Sequence, residues 1–192
     1  NSLDGFKYSP YGLYETAGTL NSSWGFKYYD QNWITAQEIV ERRKRLNDMG
    51  VNYLLNIGPE AGGKINDYQS ELLKLIGRWM DIFGEAIYNG RPYPAYGIGK
   101  NFILKSIEEN ALYLFVYDLA IEGDANVMVG GNYKGVYAFG NVTDRVTDVK
   151  WMDNDENLNF TWQNNILAVE KFLKANENAF KEFHDSFVVK KD

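Results

Sequence analysis

Two polar side chains in short extended segments could do chemistry in this sequence, Glu15 and Asn56. Asn56 ends the run Asn52-Tyr53-Leu54-Leu55-Asn56, where strand-forming apolar residues stop and Ile57-Gly58-Pro59 turns the chain. Glu15 is an acid in an otherwise apolar and small-residue segment, Tyr14-Glu15-Thr16-Ala17-Gly18-Thr19-Leu20. A carboxyl group beside a site can donate or accept a proton, and an amide can hold a substrate by hydrogen bonds. Both also have ordinary structural readings. A Glu in a strand most often faces solvent, and an Asn at a strand end caps the turn that follows. Trp24, just past the first segment, is either a core residue or an apolar wall of a site.

The elements around these residues decide which reading holds. The segment 14–20 is followed by a helix whose first turn begins near Thr35, with Glu38 three residues on in a capping-box pattern. Ile39, Val40, Leu46 and Met49 are its expected buried positions, and the Arg42-Arg43-Lys44-Arg45 run reads as a solvated face. After the segment 52–56, residues 68–83 carry helical apolar spacing at Leu72, Leu75, Ile76, Trp79, Met80 and Phe83. Residues 14–84 therefore read β-α-β-α, two units of a parallel sheet. In barrels of such units chemistry gathers where strands end at the C-terminal edge, which is where Asn56 falls.

Three motifs in this stretch resemble the retaining α-L-fucosidases: Tyr14-Glu15-Thr16 through Asn21-Ser22-Ser23-Trp24-Gly25-Phe26, then Asn52 to Pro59, then Leu75-Ile76-Gly77-Arg78-Trp79 with Gly84-Glu85-Ala86-Ile87-Tyr88. Their order and spacing agree with that family over roughly residues 14–91. The resemblance implies an α/β plus all-β chain, with terminal βα units of a TIM-type barrel at 1–90 followed by an antiparallel β-sandwich at 91–192. It implies hydrolysis of terminal α-L-fucosyl linkages in glycans with retention of configuration, without metal or cofactor. Glu15 becomes the general acid/base candidate, a group whose raised pKa burial and a neighbouring carboxylate would support. Trp24 becomes an apolar wall for the methyl group of a 6-deoxy sugar, and Asn56 a weaker substrate-binding candidate. The family's aspartate nucleophile and sugar-binding histidines come from earlier strands, and none of those motifs is present. This chain therefore reads as a portion of a longer enzyme, inactive by itself. One departure stands out: Gly62-Gly63-Lys64-Ile65 replaces an Asp-Gly pair found in relatives.

Composition bounds the reading. The 192 residues are 45% hydrophobic and 16% aromatic, enough for one large or two small cores. There is no cysteine, which removes disulfides, thiolate nucleophiles and cysteine metal sites. A net charge of -6 argues against nucleic acid, whose binding rests on phosphate neutralisation. No stretch approaches a membrane span. The expected partner is a fucosylated glycan. The compartment stays unassigned, with extracellular, periplasmic or lysosomal-type settings favoured by that substrate class. The competing reading from another class is a non-catalytic carbohydrate-binding or structural module.

Helical spacing stops at Asn89-Gly90-Arg91-Pro92-Tyr93-Pro94. Beyond it, extended segments are expected near 101–106, 111–117, 126–129, 135–139, 146–152, 158–162 and 186–190, separated by turn residues. Residues 164–172 fit a strand and 168–182 a helix equally well. His184, the only histidine, reads as a surface residue. The two parallel strands are apolar enough to want cover on both faces, so an open edge would invite self-association.

Overall fold

The computed structural model of the chain describes residues 12–116, 135–171 and 186–191. The expected strand at 126–129, residues 172–182 of the tail and His184 lie outside them.

The first part is β1 (Tyr14–Thr19), α1 (Ala36–Asp48), β2 (Val51–Asn56) and α2 (Asp67–Tyr88). β1 and β2 form a two-stranded parallel sheet in which Glu15 pairs with Asn52 and Thr19 with Asn56. Thr35 caps α1 through a complete capping box: its Oγ1 accepts from the Glu38 N–H at 3.2 Å, and Glu38 Oε2 accepts from the Thr35 N–H at 2.8 Å. Asn66 caps α2 by accepting from the Tyr68 N–H at 2.9 Å. α2 runs five residues past Phe83 because Ala86 and Ile87 continue the stripe begun by Trp79 and Phe83.

One face of the parallel pair is covered. Leu20, Tyr53, Leu55 and Ile57 pack against Ile39 of α1 and Leu72 and Ile76 of α2. The other face, carrying Glu15, Ala17, Asn52 and Leu54, is exposed. Burial therefore alternates along β1 and β2, because the two helices shield one face only and no second layer meets the other among the described residues.

The second part opens with β3 (Gly90–Pro92) immediately after α2, then β4 (Tyr96–Gly97), β5 (Phe102–Ser106), β6 (Ala111–Phe115), β7 (Gly135–Gly140), β8 (Val146–Trp151), β9 (Asn159–Gln163), β10 (Ile166–Lys171) and β11 (Ser186–Lys191). They form two antiparallel sheets, ordered β3-β5-β6-β11-β8 and β4-β7-β10-β9. The open choice at 164–172 resolves as a strand up to Lys171, because β10 pairs on both sides with β7 and β9. The two sheets close over a shared core that includes Ile103, Leu112, Leu114, Phe139, Val149, Leu167 and Val169.

The five-stranded sheet is buried on both faces. Ile103, Leu112 and Leu114 point into the sandwich core, while Phe102, Leu104, Tyr113 and Phe115 meet Trp79, Phe83 and Ile87 of α2. This explains why 111–115 reads as an unbroken apolar run. Lys44 corrects the reading of 42–45 as a solvated face. It is fully buried, with its ammonium 5.9 Å from the Trp79 ring centre and 5.2 Å from that of Phe115. Its long stem lies in the same helix–sheet core that receives Val40, one turn before it.

Polar contacts reinforce this junction. Asn47 Nδ2 donates to the carbonyls of Ile87 at 3.1 Å and Gly90 at 3.4 Å, tying the end of α1 to the end of α2. The buried Tyr113 hydroxyl donates to Glu85 Oε1 at 2.6 Å. Burial, with the Glu85 carboxylate beside it, holds that phenol well above its ordinary pKa. Glu85 is therefore a bridge between helix and sheet. Among the described residues no helix is long and apolar enough to cross a membrane.

Candidate active site

The C-terminal ends of β1 and β2 are joined by a clamp. Asn56, the last residue of β2, donates from Nδ2 to Thr19 Oγ1 at 3.3 Å and to the Trp24 carbonyl at 2.7 Å. Thr19, the last residue of β1 and its register partner, donates to the Ser23 carbonyl at 3.0 Å. These bonds fold the loop after β1 down onto the end of β2. The amide of Asn56 is thus spent on the loop and does not cap the Gly58-Pro59 turn. Thr19 is the residue the sequence did not single out. Its signal was positional, a hydroxyl at the strand end opposite Asn56.

Backbone contact completes the clamp. Gly58 is buried, and a Cβ built on it would lie 2.8 Å from both Gly25 C and Phe26 N. Only a glycine lets the two loops come this close. The Gly58 carbonyl in turn accepts from Nε2 of the buried Gln69 at 3.1 Å, which fixes the β2–α2 loop to the first turn of α2. Within that loop Gly63 has φ +81, left-handed backbone that favours glycine.

Trp24 rides on the clamped loop with its side chain 58% exposed, which excludes the core reading among the described residues. Trp24 and Asn56 are therefore brought together at one strand edge, through the Trp24 carbonyl and not through its ring. Glu15 is not brought to them. It is exposed and shares the open face with Asn56, but it lies four residues before Thr19 on β1. At roughly 3.3 Å per residue that is about 13 Å from the edge. No second carboxylate shares this face, whose other in-register positions are Ala17, Thr19, Asn52, Leu54 and Asn56. Among the described residues no group of three or more His, Cys, Asp or Glu could hold a metal ion. Trp79 is a core residue, as its helical spacing implied.

Comparison with known proteins points one way. The family model for alpha-L-fucosidase matches residues 7–85, the stretch that builds β1 through α2. Tissue alpha-L-fucosidase of Rattus norvegicus is 33% identical over 116 residues, covering 56% of this chain and 25% of that protein. Alpha-L-fucosidase of Dictyostelium discoideum is 29% identical over 123 residues, covering 60% of this chain and 27% of that protein. The chain thus spans about a quarter of the length of these curated relatives. Among solved structures, alpha-L-fucosidase isoenzyme 1 from Paenibacillus thiaminolyticus superposes with a TM-score of 0.74 at 21% identity, covering 93% of this chain and 39% of that one. That likeness is one of fold. It extends past the matched segment into the paired antiparallel sheets. The comparisons do not favour the non-catalytic module. Family model and curated relatives liken the first part of this chain to the alpha-L-fucosidases, and the solved structure shares its fold.

Proposed function

We propose that this chain is part of an α-L-fucosidase that hydrolyses terminal α-L-fucosyl linkages in glycans with retention of configuration. One observation carries the reading: the family match falls on β1 through α2, the stretch that contains the Thr19–Asn56–Trp24 clamp. In this reading β1-α1-β2-α2 are terminal units of a TIM-type barrel, and the open face of β1 and β2 is turned to the barrel interior. Residues from Gly90 onward form the accompanying β-sandwich. The nucleophile-bearing part belongs to strands outside this chain, which spans only about a quarter of its curated relatives.

Retaining hydrolysis runs in two steps. A carboxylate attacks the anomeric carbon as an acid protonates the departing glycosidic oxygen. Water then cleaves the glycosyl ester while the same acid, now a base, takes its proton. The two carboxyl groups supply all of this chemistry, so neither metal nor cofactor is called for. Trp24 offers an apolar face to the methyl group of fucose, and Asn56 sets where that face stands. The test is the anomer of the first-formed sugar. The natural protein acting on an aryl α-L-fucoside should release α-fucose first, read by proton NMR before mutarotation. Release of the β anomer would overturn retention.

Glu15 is the general acid/base candidate of this reading, by resemblance. For an acid/base residue, Glu15→Gln slows glycan hydrolysis far more than aryl fucosides with good leaving groups, and azide restores the lost turnover. For a residue that only lines the barrel interior, both substrates slow by a similar few-fold and azide does nothing. Glu15 stands about 13 Å below the strand edge, and the two substrates together with azide tell these roles apart.

A further inference from the structure

We propose that Tyr28 and Tyr29 form a stacking corner for the leaving-group sugar, and so select glycans over simple fucosides; this rests on the fucosidase reading above. The two tyrosines are the central residues of a turn closed by the Asp30 N–H donating to the Lys27 carbonyl at 3.1 Å. Turn tips usually carry Gly, Pro, Asn, Asp or Ser, each for a backbone reason. Here two large rings stand at the tip, 75% and 91% exposed, and neither adds to any core. Rings placed outside every core, at the tip of a turn, are free to meet a ligand.

The turn that carries the rings is braced by its loop. Gln31 Nε2 donates to the Tyr28 carbonyl at 3.1 Å, and the Asn32 N–H donates to Asp30 Oδ1 at 3.3 Å. Asn32 Nδ2 reaches back to Ser22 Oγ at 2.9 Å, and the Ile34 N–H closes the loop base on the Leu20 carbonyl at 2.8 Å. The other end of the same loop is the Asn56 clamp that carries Trp24. The corner therefore shares a loop with the Trp24 edge.

Geometry selects the occupant. The Tyr28 and Tyr29 ring centres are 5.3 Å apart and their planes meet at 86°. Two perpendicular rings give a floor and a wall. A pyranose has one apolar C–H face and a rim of hydroxyls, so it can lay that face on one ring while its edge rests on the other. The two phenol hydroxyls remain at the tips to hydrogen-bond the rim. Tyrosine supplies this contact at low entropic cost because few torsions need fixing.

The test compares two substrates on the natural protein: α-L-fucosyl fluoride, which has no leaving sugar, and a fucosyl-lactose trisaccharide, which has one. Tyr29→Ala should lower kcat/KM for the trisaccharide relative to the fluoride by about tenfold, mostly through KM. Tyr28→Ala/Tyr29→Ala should lower it further, and Tyr29→Phe, which keeps the ring, should nearly restore the ratio. Both side chains lie outside the cores, so folding is preserved in all three. An unchanged ratio in the double variant overturns the corner while leaving the fucosidase reading intact. Failure of the wild type to cleave either substrate overturns that reading itself. A dimer at high concentration that Tyr29→Ala dissociates would instead assign the rings to contact between copies, and would also overturn the corner.

Discussion

The 192-residue chain by itself is expected to leave a chromogenic α-L-fucoside uncut. Retaining hydrolysis needs two carboxyl groups about 5–5.5 Å apart. The open face of β1 and β2 presents one, Glu15, with no second carboxylate at any in-register position on either strand. Without a nucleophile the glycosyl ester cannot form, and no clamp or aromatic wall substitutes for that bond. Loss of a covalent nucleophile removes on the order of 10⁴–10⁶ in turnover. The measurement is steady-state release of 4-nitrophenol by the chain purified to homogeneity, set beside the same assay on the natural protein. Turnover that tracks the 192-residue species through two separations would refute both the incompleteness of the site and the reading of β1 and β2 as one side of a larger barrel.

Gly58→Ala should be the most damaging single-atom addition near the candidate site. The new Cβ would meet two backbone atoms, Gly25 C and Phe26 N, each at 2.8 Å, a separation that real Cβ atoms essentially never show. Neither neighbour can rotate away as a side-chain tip would. The loop carrying Trp24 must lift, or the β2–α2 loop must slide. Lifting stretches the 2.7 Å bond from Asn56 to the Trp24 carbonyl, and sliding stretches the 3.1 Å bond from Gln69 to the Gly58 carbonyl. In the natural protein a displacement approaching 1 Å at a substrate wall should lower kcat/KM on the order of a hundredfold. Hydrogen exchange should locate the change: faster amides at 21–33, and unaltered ones at 111–115, whose core lies on the far side of the helices. Gly62→Ala is the control, because nothing lies within 4 Å of its added carbon and it should exchange and turn over like wild type. Equal activity of the two variants would mean that loop placement does not govern the site.

Much of the fold was written in local pattern. The capping box at Thr35 and Glu38, the apolar stripe of α2 and the alternation of strands with turns beyond residue 100 each follow from neighbours a few residues apart, and among the described residues the structure has them where the spacing put them. Segments with two competing periodicities could not be settled that way. Residues 166–171 became a strand only because β7 and β9 flank them on both sides. The short strands β3 and β4 left no mark in the sequence, since three or two residues carry no period.

The site was legible in its residues and not in its geometry. Trp24 and Asn56 were named from the sequence, but their union through a backbone carbonyl, with Thr19 as the third member, depends on the register that sets Thr19 opposite Asn56. Glu15 was named beside them, and the same register sets it four residues down the strand. Lys44 sat in a run of four basic residues and was buried against Trp79 and Phe115, partners 35 and 71 positions away. The physical reason is common to all three. Hydrogen-bond partners, depth along a strand and burial of a long side chain are properties of pairs distant in sequence, and only the packed chain brings those pairs within reach.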